Sequence, residues 1–240
     1  MSLPDPSRRV VDQLVDAARS AFGDTLRAVI LYGSAAEGRL RATSDVNLLF
    51  VLSAFDQRAD ALREPFGFAH AATNVTAMFL LESELADASE SFAQKFADIE
   101  RRHVVLYGDD VVSRIEVPRA ALVRRVRQVL FNLSIRLREL YVERSLREEQ
   151  CAMTVAETAG PLRTSAASIL ELERGATPPP KEALQTLVRE LQRPEFEELL
   201  PHLSEAREHR ALPPGRAAAI LFTMLELVRA VHARSLRIEP

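Results

Sequence analysis

The chain has 240 residues, of which 47% are hydrophobic and 27% charged, a composition typical of a globular protein with room for one large domain or two modest ones. Its net charge of −3 and isoelectric point near 6.0 give no bulk reason to expect binding to nucleic acid or to an anionic membrane. The single cysteine, Cys151, excludes an internal disulfide framework and a multi-cysteine metal site, and its place in an apolar-periodic helix predicts a small core residue.

The N-terminal stretch and the hydropathy of the chain bear on localisation. The residues MSLPDPSRR lack the apolar segment of a secretory signal, and no run approaches the roughly 20 apolar residues that cross a bilayer. We therefore predict a cytoplasmic protein with no membrane partner.

The first half of the chain is predicted to alternate between helices and strands. Apolar residues recur at helical spacing near the N-terminus and stop at Gly23. Short apolar runs then predict four strands, at 26–32, 46–52, 75–81 and 103–108. Between the strands, one helix is predicted from Asp56, disturbed by Pro65 and Gly67, and a second helical stretch covers 81–102.

The pattern changes at Pro118, after which no strand is predicted. One long amphipathic helix is predicted from about 119 to 147, and four more follow, separated by short breaks that contain proline. Their ranges are 148–174, 181–192, 194–209 and 214–236. Short breaks between helices of this length favour an antiparallel bundle. The chain is thus predicted to divide into an α/β half, 1–116, and an all-α half, 117–240.

The stretch ILYGSAAEGRLRATSDVNLLFVL, residues 30–52, combines residues suited to binding phosphate. Gly33 permits a sharp turn and a close approach of ligand to backbone, and Ser34 adds a hydroxyl and an N–H at a position that favours anions. Asp45 and Asn47 stand two residues apart at the start of a strand, so they project to the same face beside the turn. This pattern is typical of a phosphate site with a divalent metal bound by oxygen. A Gly-Ser turn followed by Asp is common, however, and spacing alone leaves an ordinary turn open.

The same stretch resembles the signature of the DNA polymerase beta-like nucleotidyltransferase superfamily, which is a hydrophobic strand, Gly-Ser, a spacer, and Asp-x-Asp or Asp-x-Glu in a second strand. The segment FADIERRHVVLYGDD, 96–110, is similar to the end of the nucleotidyltransferase domain in minimal bacterial members. A helical half of this size is similar to that of kanamycin-type nucleotidyltransferases. The resemblance implies an α+β fold, in which a small mixed sheet with flanking helices is followed by an antiparallel helix bundle. It also implies transfer of a nucleoside monophosphate from a nucleoside triphosphate.

The resemblance further implies a metal site that this sequence does not complete. In the family, three carboxylates hold two magnesium ions. Asp45 matches the first carboxylate, which makes it the expected metal ligand and catalytic residue, but the second catalytic position holds the neutral amide Asn47. The third position lies within 74–79, where no acid occurs and Thr76 or Met78 takes its place. Magnesium then has one protein carboxylate and is expected to be carried in with the nucleotide, which would bind at the Gly-Ser turn.

Three functional hypotheses follow. The preferred one is a degenerate member that binds a nucleotide or a protein partner in regulation, because the second magnesium ion has no evident ligands. An active Mg-dependent enzyme would move a nucleoside monophosphate to a small-molecule or protein hydroxyl, with Glu37 or Asp98 rebuilding the metal site. The third is an interaction scaffold that uses the helix bundle. The apolar face of 214–236 is then the place to look for a homodimer, although burial inside the bundle is expected.

Other chemistry-bearing residues receive structural interpretations. The acidic pair Asp109-Asp110 is expected to be solvated, and the five histidines show no metal-binding spacing. The arginine-rich helix at 119–147 carries interleaved acids, which is typical of a solvated face. Arg124 or Arg125 would serve as a triphosphate clamp only if this helix borders the Gly-Ser loop.

Overall fold

The computed structural model describes residues 5–38, 45–175 and 178–240. The chain divides into two compact units, Met1–Val117 and Pro118–Pro240. The first contains every strand of the described residues, and the second is helical. Across these described ranges, none of the helices combines the length and the apolar character needed to span a membrane.

The first unit is a four-stranded mixed sheet with flanking helices, as predicted. The sheet order is β3-β2-β1-β4, with β1 antiparallel to both β2 and β4, and β2 parallel to β3. All four strands have the bounds predicted from their apolar runs. The elements are α1 (Asp5–Phe22), β1 (Leu26–Tyr32), β2 (Val46–Leu52), α2 (Arg63–Thr73), β3 (Val75–Leu81), α3 (Leu85–Ser91), α4 (Ala93–Arg101) and β4 (His103–Gly108).

The central strands β1 and β2 are buried on both faces. On one face, Leu31 and Leu48 pack with residues of α1 such as Leu14. On the opposite face, Ile30 and Leu49 pack with residues that include Ile99 of α4. Each fully buried side chain of this size contributes about 1.5–3 kcal/mol relative to exposure, so the apolar runs fix both the strands and the two layers of helix over them. The same alternation of faces determines which side chains reach the end of the sheet.

The predicted disturbance of the helix after β2 is absent. Asp56 accepts a hydrogen bond from the N–H of Arg58 at 2.9 Å and starts a 3₁₀ turn, after which α2 runs without a break through Pro65 and Gly67. Pro65 is the third residue of α2, where the backbone N–H has no partner within the helix, so its ring costs no hydrogen bond.

The predicted helical stretch at 81–102 is two helices. A 3₁₀ turn precedes α3, and Phe92, with φ −114° and ψ 37°, separates α3 from α4. In the last turn of α3, the hydroxyl of Ser89 donates to the carbonyl oxygen of Ala86 at 2.8 Å. Such local bonds compete with continued helix, and they account for the break in a serine-rich segment.

The second unit is a helix bundle, as predicted. Its elements are α5 (Arg119–Arg144), α6 (Glu148–Arg174), α7 (Pro180–Leu191), α8 (Pro194–His209) and α9 (Ala217–Ser235). Helix α6 contacts all four of the others, and its buried positions include Cys151, which confirms the predicted core role of that residue. The apolar face of α9 is also buried, as expected, at Ala217, Ile220, Leu221, Met224 and Leu227.

Candidate functional site

One end of the sheet brings the predicted site residues together. Because β1 is antiparallel to its two neighbours and β3 is parallel to β2, the C-terminal end of β1 meets the N-terminal ends of the other three strands. The strand register pairs Thr76 with Asn47, Asn47 with Tyr32, and Tyr32 with His103. Directly paired residues project to the same face of a sheet. These four side chains therefore form a row on the face covered by α4, which we call the end row.

Gly33 forms the turn at the end of β1. Its φ of +78° lies in the left-handed region that favours glycine, and a 3₁₀ turn runs from Gly33 to Ala35. The Gly33 N–H donates to the carbonyl oxygen of Arg102 at 2.9 Å. A Cβ atom at Gly33 would lie 3.8 Å from Nδ2 of Asn47, so the turn passes close to the end row. Ser34 follows it and is half-buried.

Asn47 and Thr76 are hydrogen-bonded to each other. The hydroxyl Oγ1 of Thr76 donates to Oδ1 of Asn47 at 2.9 Å, and Nδ2 of Asn47 donates to the backbone oxygen of Asp45 at 3.4 Å. Oδ1 is the atom with which an asparagine would ligate a metal, and here it accepts a hydrogen bond from the neutral hydroxyl of Thr76. Of the two candidates for the third family position, Thr76 and Met78, the register places Thr76 opposite Asn47.

Asp45 stands just before β2 and is exposed. Residues 39–44 of the intervening loop lie outside the described residues. The structure therefore brings Gly33 and Asn47 together and places Asp45 beside them, while the roles assigned to these residues and to Ser34 stay predictions.

The acids Glu37 and Asp98, which were candidates to rebuild a metal site, are both ion-paired with Arg102. Nη1 of Arg102 lies 3.1 Å from Oε2 of Glu37, and Nη2 bonds Oδ2 of Asp98. Oδ1 of Asp98 lies 3.5 Å from Nη2 of Arg101. These side chains are mostly buried, so the carboxylates serve as counterions of arginine.

The described donor atoms at this end of the sheet do not form the three-carboxylate ligand set that the family pattern uses for two magnesium ions. Asp45 offers one carboxylate, the amide oxygen of Asn47 is neutral and accepts a hydrogen bond from Thr76, and Glu37 is held by Arg102. Within the ranges that the structure describes, no group of three His, Cys, Asp or Glu side chains is arranged to hold a metal ion. Magnesium is usually bound by one or two carboxylates together with substrate phosphates, so the one carboxylate that Asp45 offers is a poor ligand set for two ions.

Tyr32 and Lys95 give this end of the sheet its electrostatic character. Burial, followed by the negative charge of Asp98, raises the pKa of Tyr32 to about 12. Nζ of Lys95, on α4, lies 5.8 Å from the centroid of the Tyr32 ring. Burial lowers the pKa of Lys95 below its usual value. The Tyr32 phenol is therefore neutral and the Lys95 ammonium is partly desolvated.

His103 and Asp110 connect α4 to the segment after β4. Nδ1 of His103 faces the carbonyl oxygens of Ile99 at 3.0 Å and Glu100 at 3.1 Å, while Nε2 lies 3.2 Å from Oδ1 of Asp110. Burial raises the pKa of Asp110, but hydrogen bonds from the Ser113 N–H and the His103 ring outweigh it and hold this pKa below its usual range. Asp110, predicted to be a solvated loop acid, is a structural partner of His103.

Sequence reasoning named Asp98 of α4 as a possible metal ligand, but it missed Lys95 on the same helix and Arg102 directly after it. Lys95, Asp98 and Arg102 are spaced three and four residues apart, which places them on one side of the helix. One feature of the sequence could have drawn attention to Lys95: lysine is rare in this chain, and Lys95 and Lys181 are its two lysines. Arg125, one of the two predicted clamp residues, donates to Gln128 within α5 at 3.0 Å, and the clamp stays a prediction.

A solved structure resembles this chain over nearly its whole length. Spectinomycin adenyltransferase AAD(9) from Enterococcus faecialis, determined with ATP and spectinomycin, matches with a TM-score of 0.66, 13% sequence identity, and coverage of 96% of this chain and 99% of that one. At this identity the likeness establishes the fold alone, and it is the nucleotidyltransferase fold that the sequence resemblance implied. No model of a protein family matches the sequence, and no curated protein matches it.

Proposed function

We propose that this protein binds a nucleoside triphosphate at the Gly33–Ser34 turn and acts as a nucleotide-dependent regulator, without transferring the nucleotidyl group by a two-metal route. The observation that carries this proposal is the 2.9 Å hydrogen bond from Thr76 to Asn47. This bond joins Asn47 and Thr76, which stand at the positions where the family pattern has its second and third carboxylates. Both side chains are neutral.

Nucleotide binding is supported by the geometry of the turn. Gly33 keeps its left-handed conformation beside Asn47, and its N–H is already bonded to Arg102, so the turn is held in place before a ligand arrives. A glycine turn of this kind supports phosphate binding, because the lack of a side chain lets a ligand approach the backbone closely. The similar structure, which was determined with ATP, has the same fold.

The absence of two-metal transfer follows from charge. Asp45 is the one carboxylate of the family pattern that the sequence retains, and the nearby acids Glu37 and Asp98 already neutralise Arg102. Removing a metal from such a reaction forfeits on the order of several kcal/mol of transition-state stabilisation, and each 1.36 kcal/mol is about tenfold in rate. A nucleotide that is bound but not turned over acts only as a ligand. We therefore propose a regulatory role.

Two assays on the full chain test the proposal. Calorimetric titration with ATP should give a heat signal that saturates as the site fills. Incubation with α-labelled ATP and magnesium or manganese should transfer no label to protein or to added hydroxyl compounds. Label transfer that is lost in Asp45→Ala would show an active enzyme instead. No heat at millimolar ATP would leave an interaction scaffold that uses the helix bundle.

The second candidate is an active transferase that moves a nucleoside monophosphate to a small-molecule hydroxyl. The likeness to a structure determined with ATP and spectinomycin covers 96% of this chain, which favours this class of acceptor over a protein hydroxyl. Asp45 would be its only acid of the family pattern. A panel of hydroxyl-bearing small molecules in the labelling assay separates it from the proposed regulator.

A further inference from the structure

Lys95 is a cation without a carboxylate partner at the edge of the site. Among the described residues, none of the ion pairs includes Lys95, and the loop at 39–44 has the sequence RLRATS, which contains no acid. Desolvation is the cause of its lowered pKa. Two neighbouring charged side chains differ from Lys95 in this respect, because Asp98 and Arg102 form an ion pair with one another.

The ammonium of Lys95 lies near the ring of Tyr32, which is one member of the end row. Its Nζ is 5.8 Å from the ring centroid of Tyr32, and Tyr32 is the direct strand partner of Asn47. Side chains of such partners have Cβ atoms about 5 Å apart and share a face. Lys95 therefore brings a positive charge to the face that carries the neutral Asn47–Thr76 pair, next to the turn that begins at Gly33.

We propose that Lys95 is the phosphate-binding cation of this site and supplies positive charge that divalent metals would otherwise supply, so that a nucleoside triphosphate binds here without a metal ion. The proposal rests on the proposed function, since it assumes that a nucleotide occupies the turn. A site with one carboxylate has little negative charge to hold a divalent ion, whereas the triphosphate still needs positive charge beside it.

Lysine suits this task because its ammonium is a compact point charge on a flexible stem, and it is a common phosphate ligand. A phosphate beside Nζ would favour the charged form that desolvation disfavours, and the exposure of the Lys95 side chain leaves the group within reach of a ligand from solvent. The interaction with the Tyr32 ring holds the ammonium in place without neutralising it.

The first experiment measures ATP affinity of the full chain in EDTA by calorimetry. Wild-type protein should bind ATP in EDTA, and added magnesium should change the affinity little. Lys95→Gln should weaken binding by at least about tenfold, the size expected for loss of a charge-assisted hydrogen bond. Lys95→Arg, which keeps the charge, should retain most of the affinity. Lys181→Gln is the matched control, because Lys181 is the other lysine and lies on α7 of the helical unit. Thermal unfolding of each variant checks that it folds.

A second readout locates the phosphate directly. Pyridoxal 5′-phosphate, followed by borohydride reduction, tags amines, and here the targets are two lysines and the α-amino group. Mass spectrometry should find the tag at Lys95, and ATP in EDTA should suppress it there while leaving Lys181 tagged.

The outcomes separate the two proposals. ATP binding that is unchanged in Lys95→Gln, or tagging of Lys95 that ATP does not suppress, would overturn the role of Lys95 and leave nucleotide binding standing. Binding that appears only with magnesium would overturn metal-free binding. No ATP binding under any condition would remove the proposed function and the role of Lys95 with it.

Discussion

The backbone N–H of Gly33 donates a 2.9 Å hydrogen bond to the carbonyl oxygen of Arg102, so the turn at the end of β1 is tied to the residue that precedes β4. The guanidinium of the same arginine joins Glu37, just after the turn, to Asp98 on α4. Arg102 therefore fixes the turn both through its backbone and through its side chain. Its two carboxylate partners hold the turn and are not available as metal ligands.

Arg102→Gln should destabilise the protein strongly. It leaves Glu37 and Asp98, whose side chains are 23% and 15% exposed, without their shared counterion. Loss of one partner from a largely buried ion pair costs about 3 kcal/mol, which urea denaturation would measure as a fall in the free energy of unfolding. Arg63→Gln is the control, because its pair with Asp60 is exposed and should cost less than about 1 kcal/mol. Equal losses in the two variants would contradict this role for Arg102.

Gly33→Ala should cost stability through the backbone alone. Its new Cβ would make an ordinary contact, 3.8 Å from Nδ2 of Asn47, but the left-handed conformation costs a non-glycine residue about 1–2 kcal/mol. Gly67→Ala, in open space within α2, should instead stabilise by about 0.5–1 kcal/mol. Thermal denaturation measures the stability of both variants against that of the wild-type protein. ATP affinity should fall in Gly33→Ala and stay unchanged in Gly67→Ala. A shift of the same sign in both variants would show that the Gly33 conformation is not required.

The strands were predictable because each is a short run of apolar residues with clear limits. Runs that are buried on both faces, such as β1 and β2, cannot continue into exposed loops. Gly33 directly follows β1 and Gly108 is the last residue of β4, and both have a positive φ. Gly108 is further fixed by the backbone of β1, since a Cβ there would lie 1.9 Å from the carbonyl oxygen of Arg27. These strands and the purely helical second half indicated an α/β half followed by an all-α half, whereas the small mixed sheet was implied by the family resemblance.

The contacts of the candidate site were less predictable, because they depend on register and on residues far apart in sequence. Thr76 and Met78 project to the same face, and only the pairing of β2 with β3 shows that Thr76 meets Asn47. Arg102 and Glu37 are 65 residues apart, and nothing local to either predicts their ion pair. The helical pattern of 81–102 likewise gave no indication of which side chains of α4 face Tyr32.

Tyr32 should make stability fall at alkaline pH. Its pKa is raised to about 12 by burial and by Asp98, above the ordinary value of about 10. Because the folded state holds the phenolic proton more tightly, its contribution to stability is fully present below pH 10 and is lost as the pH rises toward about 12. Urea denaturation across this window should show a decline of about 2–3 kcal/mol that is absent in Tyr32→Phe. An identical decline in that variant would assign the effect to other groups.

The double variant Asn47→Asp, Thr76→Asp should create a metal site. With Asp45 it places three carboxylates at one end of the sheet, since Asn47 and Thr76 are already in hydrogen-bond contact at 2.9 Å. We expect manganese affinity, followed by electron paramagnetic resonance, to rise on the order of tenfold or more, because affinity for hard cations increases with the number of charged ligands. Mutual repulsion should lower the melting temperature in EDTA, and manganese should restore it.

Asn47→Leu, Thr76→Val is the control for that variant, because it removes the same hydrogen bond without adding charge. Replacing both partners of a buried bond by apolar groups of similar shape is nearly neutral, so this variant should keep its melting temperature and should gain no manganese affinity. Two manganese ions bound by the wild-type chain as tightly as by the double aspartate variant would mean that acids other than these already complete the site. The neutrality of the Asn47–Thr76 pair would then no longer argue against catalysis, and the active transferase would become the better proposal.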